Sequence, residues 1–198
     1  MPDQSQLSLD PRTPVVVGVG QASERLGTPG YQGRSPVDLA ADAARAALAD
    51  SGADPAAVAA AIDTVAGIRQ FENSFPRARA PLGRSDNYPR SVAGRIAATP
   101  ARAVLEVSGG QAPQHLVNEF ARVIAAGDSE VALVFGSEAI STVEHFARQP
   151  DGPDGQDTRQ GKPDFTEHVE GSLEDRGYGL SGMMSRHQAA HGLIGAPS

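Results

Sequence analysis

Glu106, Ser108, Gly109 and Gly110 form the segment with the most to offer chemically, and they do so in a chain that has no cysteine. Ser108-Gly109-Gly110 follows a short apolar run and precedes helix-forming residues from Gln111 onward. That order sets a helix N-terminus at the carboxyl end of a strand, where free amides and the helix dipole can hold a phosphate, a carboxylate or a developing oxyanion. The same glycines also suit a plain tight turn, and spacing alone favours that simpler reading. Ser108 lies between Val107 and Gly109, which is not the Gly-x-Ser-x-Gly pattern of a hydrolase elbow. His187 and His191 share a helix face at a spacing that metal sites use, but Gln188, Ala189 and Ala190 between them supply no glutamate and no third ligand is evident, so no metal is expected. Gly18-Val19-Gly20 begins like a dinucleotide fingerprint, yet a Pro/Gly loop follows where a helix is needed, and a structural turn is the better reading.

Composition narrows the classes of function. The absence of cysteine removes disulfides, thiolate metal ligands and thiolate nucleophiles from the chain. With 17 Lys+Arg against 24 Asp+Glu and the basic residues scattered, an electrostatic footprint for nucleic acid is lacking. No apolar run approaches the roughly 18 residues of a membrane span, and the polar stretch Met1 to Asp10 lacks the pattern of a secretory leader, so a cytoplasmic protein is expected. At 198 residues and 39% apolar content the chain suffices for one cored domain, or for one domain plus an appendage.

The elements that have to position these residues are legible in outline. After a polar leader over 1–13, the valine-rich run Val15 to Gly20 reads as a first strand buried on both faces. Ser35-Pro36 starts a helix to Asp50 that Gly52 ends; Asp54-Pro55 starts a second, to about Ala61; Thr64 to Ile68 follows as a strand. Residues 69–87 look irregular, and Pro89 to Ala98 suits another helix. Ala103 to Val107 as strand, Gln111 to Ala126 as helix and Glu130 to Phe135 as strand make a right-handed βαβ unit in a mostly parallel mixed sheet covered by helices on both faces. Gln149 to Gly177 reads as an excursion loop, and Met183, Met184, His187 and His191 have helical spacing over 180–193. The ending soon after that helix reads as a truncation.

The succession Glu106-Val107-Ser108-Gly109-Gly110-Gln111-Ala112, Ile124-Ala125-Ala126-Gly127, Glu130 to Phe135 and Gly136-Ser137-Glu138-Ala139-Ile140-Ser141 resembles the thiolase superfamily, in particular thiolase-like acetyl-CoA acetyltransferases. There a strand ends in Cys-x-Ser-Gly-x-Gln-Ala, followed by helix, glycine, strand and a Gly-x-Glu-x-Met-Ser tail. Val17-Gly18-Val19-Gly20 and the helix pair after Ser35 also look like the family's start. The resemblance implies an α/β thiolase-like N-terminal domain over 14–142 and part of a loop domain over 143–198. It also implies acyl-CoA as substrate or ligand, no resident cofactor, a place in lipid metabolism, and a partner in the form of a C-terminal thiolase half, a second copy or another protein. On it Gly109, Gly110, Met183, Met184 and His187 would line an acyl-CoA pocket.

The departures shape the functional expectation. Glu106 stands where the family carries its nucleophilic cysteine, and a carboxylate cannot make the thioester intermediate of a Claisen-type acyl transfer. Glu106 is expected to be a structural anion satisfying the amides of the following helix, in preference to a catalytic base. The family's acid/base histidine, second cysteine and Asn-Glu motif belong to a C-terminal half that is missing here. Activity would then be non-covalent, such as retro-aldol or decarboxylative cleavage with groups from elsewhere; the rival expectation is a non-catalytic acyl-CoA-binding or assembly module, or an inactive half. The helix from Gln111 to Ala126, normally covered by the second half, is expected to expose several large apolar side chains.

Overall fold

The computed structural model describes residues 10–74, 80–148 and 166–177. Helix α1 (Pro36–Asp50) begins where the Ser35 hydroxyl accepts the Asp38 amide at 3.1 Å and proline takes the first helical position; Gly52 follows it at φ +72°. Asp54 caps α2 (Pro55–Ala61) in the same way. Then come β1 (Thr64–Ile68), the short α3 (Phe71–Ser74), α4 (Tyr88–Arg95), β2 (Arg102–Glu106), α5 (Ala112–Ala126), β3 (Ala132–Phe135), α6 (Ile140–Ala147) and β4 (Glu174–Asp175). Within the stretch read as irregular lies α3, and α6 was not expected from sequence.

The sheet runs β3-β1-β2-β4, and every described pairing is parallel. Side chains alternate across it. Val65, Ala103, Leu105 and Phe135 enter the larger core with Val37, Ala40, Ala44 and Leu48 of α1 and Tyr88, Val92 and Ala93 of α4. Ala66 and Val104 face the other way, onto Leu116 and Phe120 of α5. Helices thus cover both faces, as the uninterrupted apolar character of the strands requires. The alternation puts Glu106, two residues after Val104, on the α5 face.

Two expectations need correction. Val15 to Gly20 forms no strand, and Val15, Val16, Val17 and Val19 are 69%, 77%, 56% and 68% exposed. The segment lies against α1 instead, with the Val19 amide on Asp50 Oδ2 at 2.9 Å. Gly18 and Gly20 permit this, because a Cβ on either would fall 2.2 Å from the Ala47 carbonyl oxygen or 2.0 Å from that of Ala43. β-Branched residues favour extended backbone without choosing its partner. Second, α5 buries Ala112, Leu116 and Phe120, and among its described large apolar side chains Val117 alone is counted as exposed, at 49%. Its outer face carries Gln114, His115, Asn118 and Arg122.

Candidate functional site

Parallel strands bring their carboxyl ends to one edge of the sheet, and binding groups in open α/β sheets collect there. At that edge β1 continues into Arg69, Gln70 and Glu72, β2 ends at Glu106 and continues into Ser108, and β3 continues into Ser137 and Glu138. The Arg69 amide donates to the Glu106 carbonyl at 2.9 Å, which ties the first two loops together.

Glu106 is 3% exposed, and its carboxylate is fully engaged. Oε1 accepts the Val107 amide at 3.0 Å; Oε2 accepts Arg176 Nη1 at 2.8 Å and lies 3.1 Å from His115 Nδ1. Arg176 also donates to both oxygens of Glu119, at 2.7 and 2.9 Å, and its backbone amide reaches the Leu105 carbonyl. Hydrogen bonding from Arg176, reinforced by its charge and by Arg102, lowers the Glu119 carboxyl to about 2 against the opposing effect of burial. Arg176 is held protonated, chiefly by Glu119 and then by Glu106 and Glu174. Side chains, not the first amides of α5, therefore compensate Glu106. The reason is geometric: the carboxylate leaves β2 on the face that passes beneath the helix, and so meets its first and second turns.

The turn is open at Gly110. Gly110 has no positive φ, and a Cβ added there would meet nothing within 4 Å, so neither backbone conformation nor crowding within the described residues calls for glycine at this position. Ser108 is buried at 7% exposure. Gly109 and Gly110 are brought beside Glu106 and Ser108 by the chain itself, whereas Met183, Met184, His187 and His191 lie outside the described residues.

A second polar group adjoins the first at the ends of β1 and β3. Burial, and then the charge of Glu138, raise the Glu72 carboxyl to about 7, with Arg84 acting the other way. Glu138 is itself raised by burial, though its Oε1 accepts the Phe71 amide at 2.8 Å. Gln70, 1% exposed, accepts Asn73 Nδ2 on its Oε1 at 2.8 Å, while its own Nε2 and Asn73 Oδ1 have no hydrogen-bond partner among the described residues.

Glu106, His115 and Glu119 also have the composition of a metal site, with one ligand atom from each within 4.8 Å of the others. The Arg176 guanidinium already bonds the two carboxylates and supplies the positive charge that a metal would bring. Sequence reasoning missed His115, Glu119, Arg176 and Glu72. The His115/Glu119 pair at i,i+4 on a helix that starts beside Glu106 was a usable signal. Arg176 gave none, because its pairing spans 70 residues of sequence.

No helix among the described residues is long and apolar enough to cross a membrane. No protein-family model matches the chain, and no curated protein matches it. Among solved structures, it is similar to a monomeric SCP2-thiolase like protein type 1 from Mycobacterium smegmatis, with 55% sequence identity and a TM-score of 0.55 over 67% of this chain and 25% of that one. The chain thus spans about a quarter of the length of the protein it matches. Parallel sheet, two helical layers and this identity agree on one conclusion: the chain has a mixed α/β, thiolase-like fold.

Proposed function

We propose that the chain is the acyl-CoA-handling N-terminal portion of a thiolase-like protein, acting without cysteine-based acyl transfer. The observation that carries this reading is the state of Glu106. It stands where the thiolase pattern has its nucleophile, yet it is buried, bonded to Arg176 and beside His115, in a chain with no cysteine. A carboxylate so engaged is a charge anchor, and attack on a thioester would first require its release from Arg176. The likeness to an SCP2-thiolase-like protein supports acyl-CoA as the ligand class, and the open turn at Gly110 supports close approach of a ligand to the backbone. A role in cytoplasmic lipid metabolism belongs to the same proposal.

Any turnover would be non-covalent. His115 keeps Nδ1 on a carboxylate while its side chain is 50% exposed, the arrangement in which the other ring nitrogen can exchange a proton with a bound carbonyl compound. Retro-aldol or decarboxylative cleavage fits such a base when a second portion of the protein supplies the remaining groups. The alternative, a binding module without turnover, is favoured by Arg176, whose charge satisfies Glu106 from within.

Calorimetry with acetyl-CoA, followed by a cleavage assay with and without the C-terminal portion of a thiolase-like protein, separates the readings. Binding is expected in both. Turnover that needs the added portion and falls with His115→Ala supports the enzymatic form, and binding with no turnover supports the module. Absence of any acetyl-CoA binding to either preparation would contradict the proposal.

A further inference from the structure

The residues that cover Glu106 are attached in an unusual way. Residues 166–177 cross the outer side of β2 and α4 without burying one side chain, and Leu173 is their single contribution to an apolar cluster. The amino-terminal part is pinned through its backbone: the amides of Thr166 and Glu167 both reach the Arg84 carbonyl, and the Asp86 amide reaches the Glu167 carbonyl. Arg95 adds a two-pronged pair with Glu167, and Asp86 accepts the Val169 amide and meets His168. Gly171, at φ +118°, lets Arg90 pack against the chain. The pinning extends one residue further: Asn87 Nδ2 donates to the Gly171 carbonyl at 3.3 Å and Arg90 Nε to the Ser172 carbonyl at 2.9 Å, and beyond Ser172 the attachment changes.

From Leu173 to Gly177 the backbone pairs with β2 only through the two-residue β4 and the Arg176 amide. The side chains there are held by charge. Glu174 takes Arg102 at 2.8 Å, Asp175 takes Arg69, and Arg176 takes Glu106 and Glu119. Glu174 and Asp175 are 44% and 57% exposed, so salt and water reach these pairs, while Arg176 is 21% exposed and more sheltered. Two-residue ladders add little on their own, and one half-buried leucine is a weak anchor.

We propose that residues 173–177 form a charge-latched flap, hinged just beyond the Arg90-bound Ser172, whose opening takes Arg176 off Glu106 and uncovers the Glu106–His115 pair. Closed, the flap seals the carboxylate against β2; open, it leaves an anion and an imidazole at the sheet edge with the outer side of β2 unpaired. Access to the site is then set by ionic conditions, or by an anionic ligand that competes for Arg69, Arg102 and Arg176. The inference rests on the proposed function only in treating the uncovered pair as a site. Its test uses no acyl-CoA, so its failure is separable from failure of acyl-CoA binding.

The experiment follows hydrogen exchange of the whole chain at low salt and at about 1 M NaCl, where the screening length falls to about 3 Å. In parallel, carboxyl groups are labelled with a carbodiimide and an amine and mapped by mass spectrometry. Salt is expected to speed exchange of the Arg176 amide about tenfold or more, to raise labelling of Glu106 in step, and to leave the amides of Val65 and Val104 protected. Arg176→Gln at low salt should reproduce the high-salt pattern; if that variant does not fold, the salt series on the unaltered chain decides. Flap amides that exchange only together with those of Val65 and Val104 would overturn the proposal. So would a flap that exchanges freely while Glu106 stays unlabelled.

Discussion

The two long sides of the sheet are built from different materials. Against the face that receives α1 and α4, alanine, valine and aromatic side chains interlock: Tyr88 and Phe135 meet edge to face at 5.2 Å, and Val65 and Val92 are fully shielded from solvent. At the outer edge of β2, arginines 69, 102 and 176 meet glutamates 106, 119 and 174 and Asp175. The apolar side follows from local patterning, since helices spaced to bury one stripe have to find a strand face. The charged edge is specified by pairs far apart in sequence, so it answers to salt where the apolar side does not.

Substitutions should separate the two sides, beginning with the most severe. Tyr88→Ala removes a ring that is 0% exposed and also the hydroxyl that meets Ser137 Oγ at 2.8 Å; a loss of about 3–5 kcal/mol is expected in urea unfolding, insensitive to salt. Arg176→Gln leaves the buried Glu106 carboxylate without its cation and should cost about 2–3 kcal/mol, less at high salt. Adding Glu106→Gln to that variant should restore part of the loss, which a double-mutant cycle would measure. If Arg176→Gln proved as indifferent to salt as Tyr88→Ala, the contrast between the sides would be gone.

Titration sharpens the comparison with opposite signs. Glu72 has its folded-state value raised to about 7, so the folded state holds a proton that the unfolded chain releases, and stability falls as pH rises from the ordinary glutamate range through 7. Glu72→Gln is therefore expected to stabilise the protein at pH 8 by about 2 kcal/mol relative to the parent and to change little near pH 4. Glu119 is lowered to about 2, so its contribution is present above the ordinary glutamate value and disappears as pH falls toward 2; Glu119→Gln should flatten acid unfolding in that window. The smallest effect belongs to the exposed Glu144–Arg148 pair at 3.2 Å, where Arg148→Ala should change stability by less than about 0.5 kcal/mol.

What the sequence could reveal divides along the same line. The Ser35-Pro36 and Asp54-Pro55 starts, Thr64 to Ile68 and the βαβ unit around Ser108 rest on caps, glycines and periodicity that act within a dozen residues, and each lies close to where it was expected. The valine run at 15–19 misled because its composition speaks for extended backbone and says nothing about Gly18 and Gly20 nesting on α1. The resemblance singles out Glu106, but nothing in the sequence gives its surroundings. His115 and Glu119 required knowing which face of β2 the carboxylate takes, and Arg176 required a contact across 70 residues. The expectation that Glu106 satisfies the first amides of α5 is not met, since its carboxylate goes to Arg176, His115 and the Val107 amide.

The claim on which the functional account turns is that Glu106 is an engaged anion and not an acyl acceptor. The most direct measurement is the intact mass of the chain, with peptide mapping across 102–122, after incubation with acetyl-CoA at a concentration that calorimetry shows to be saturating. An unmodified mass is expected. An acyl group recovered on Glu106 or on Ser108 would contradict it.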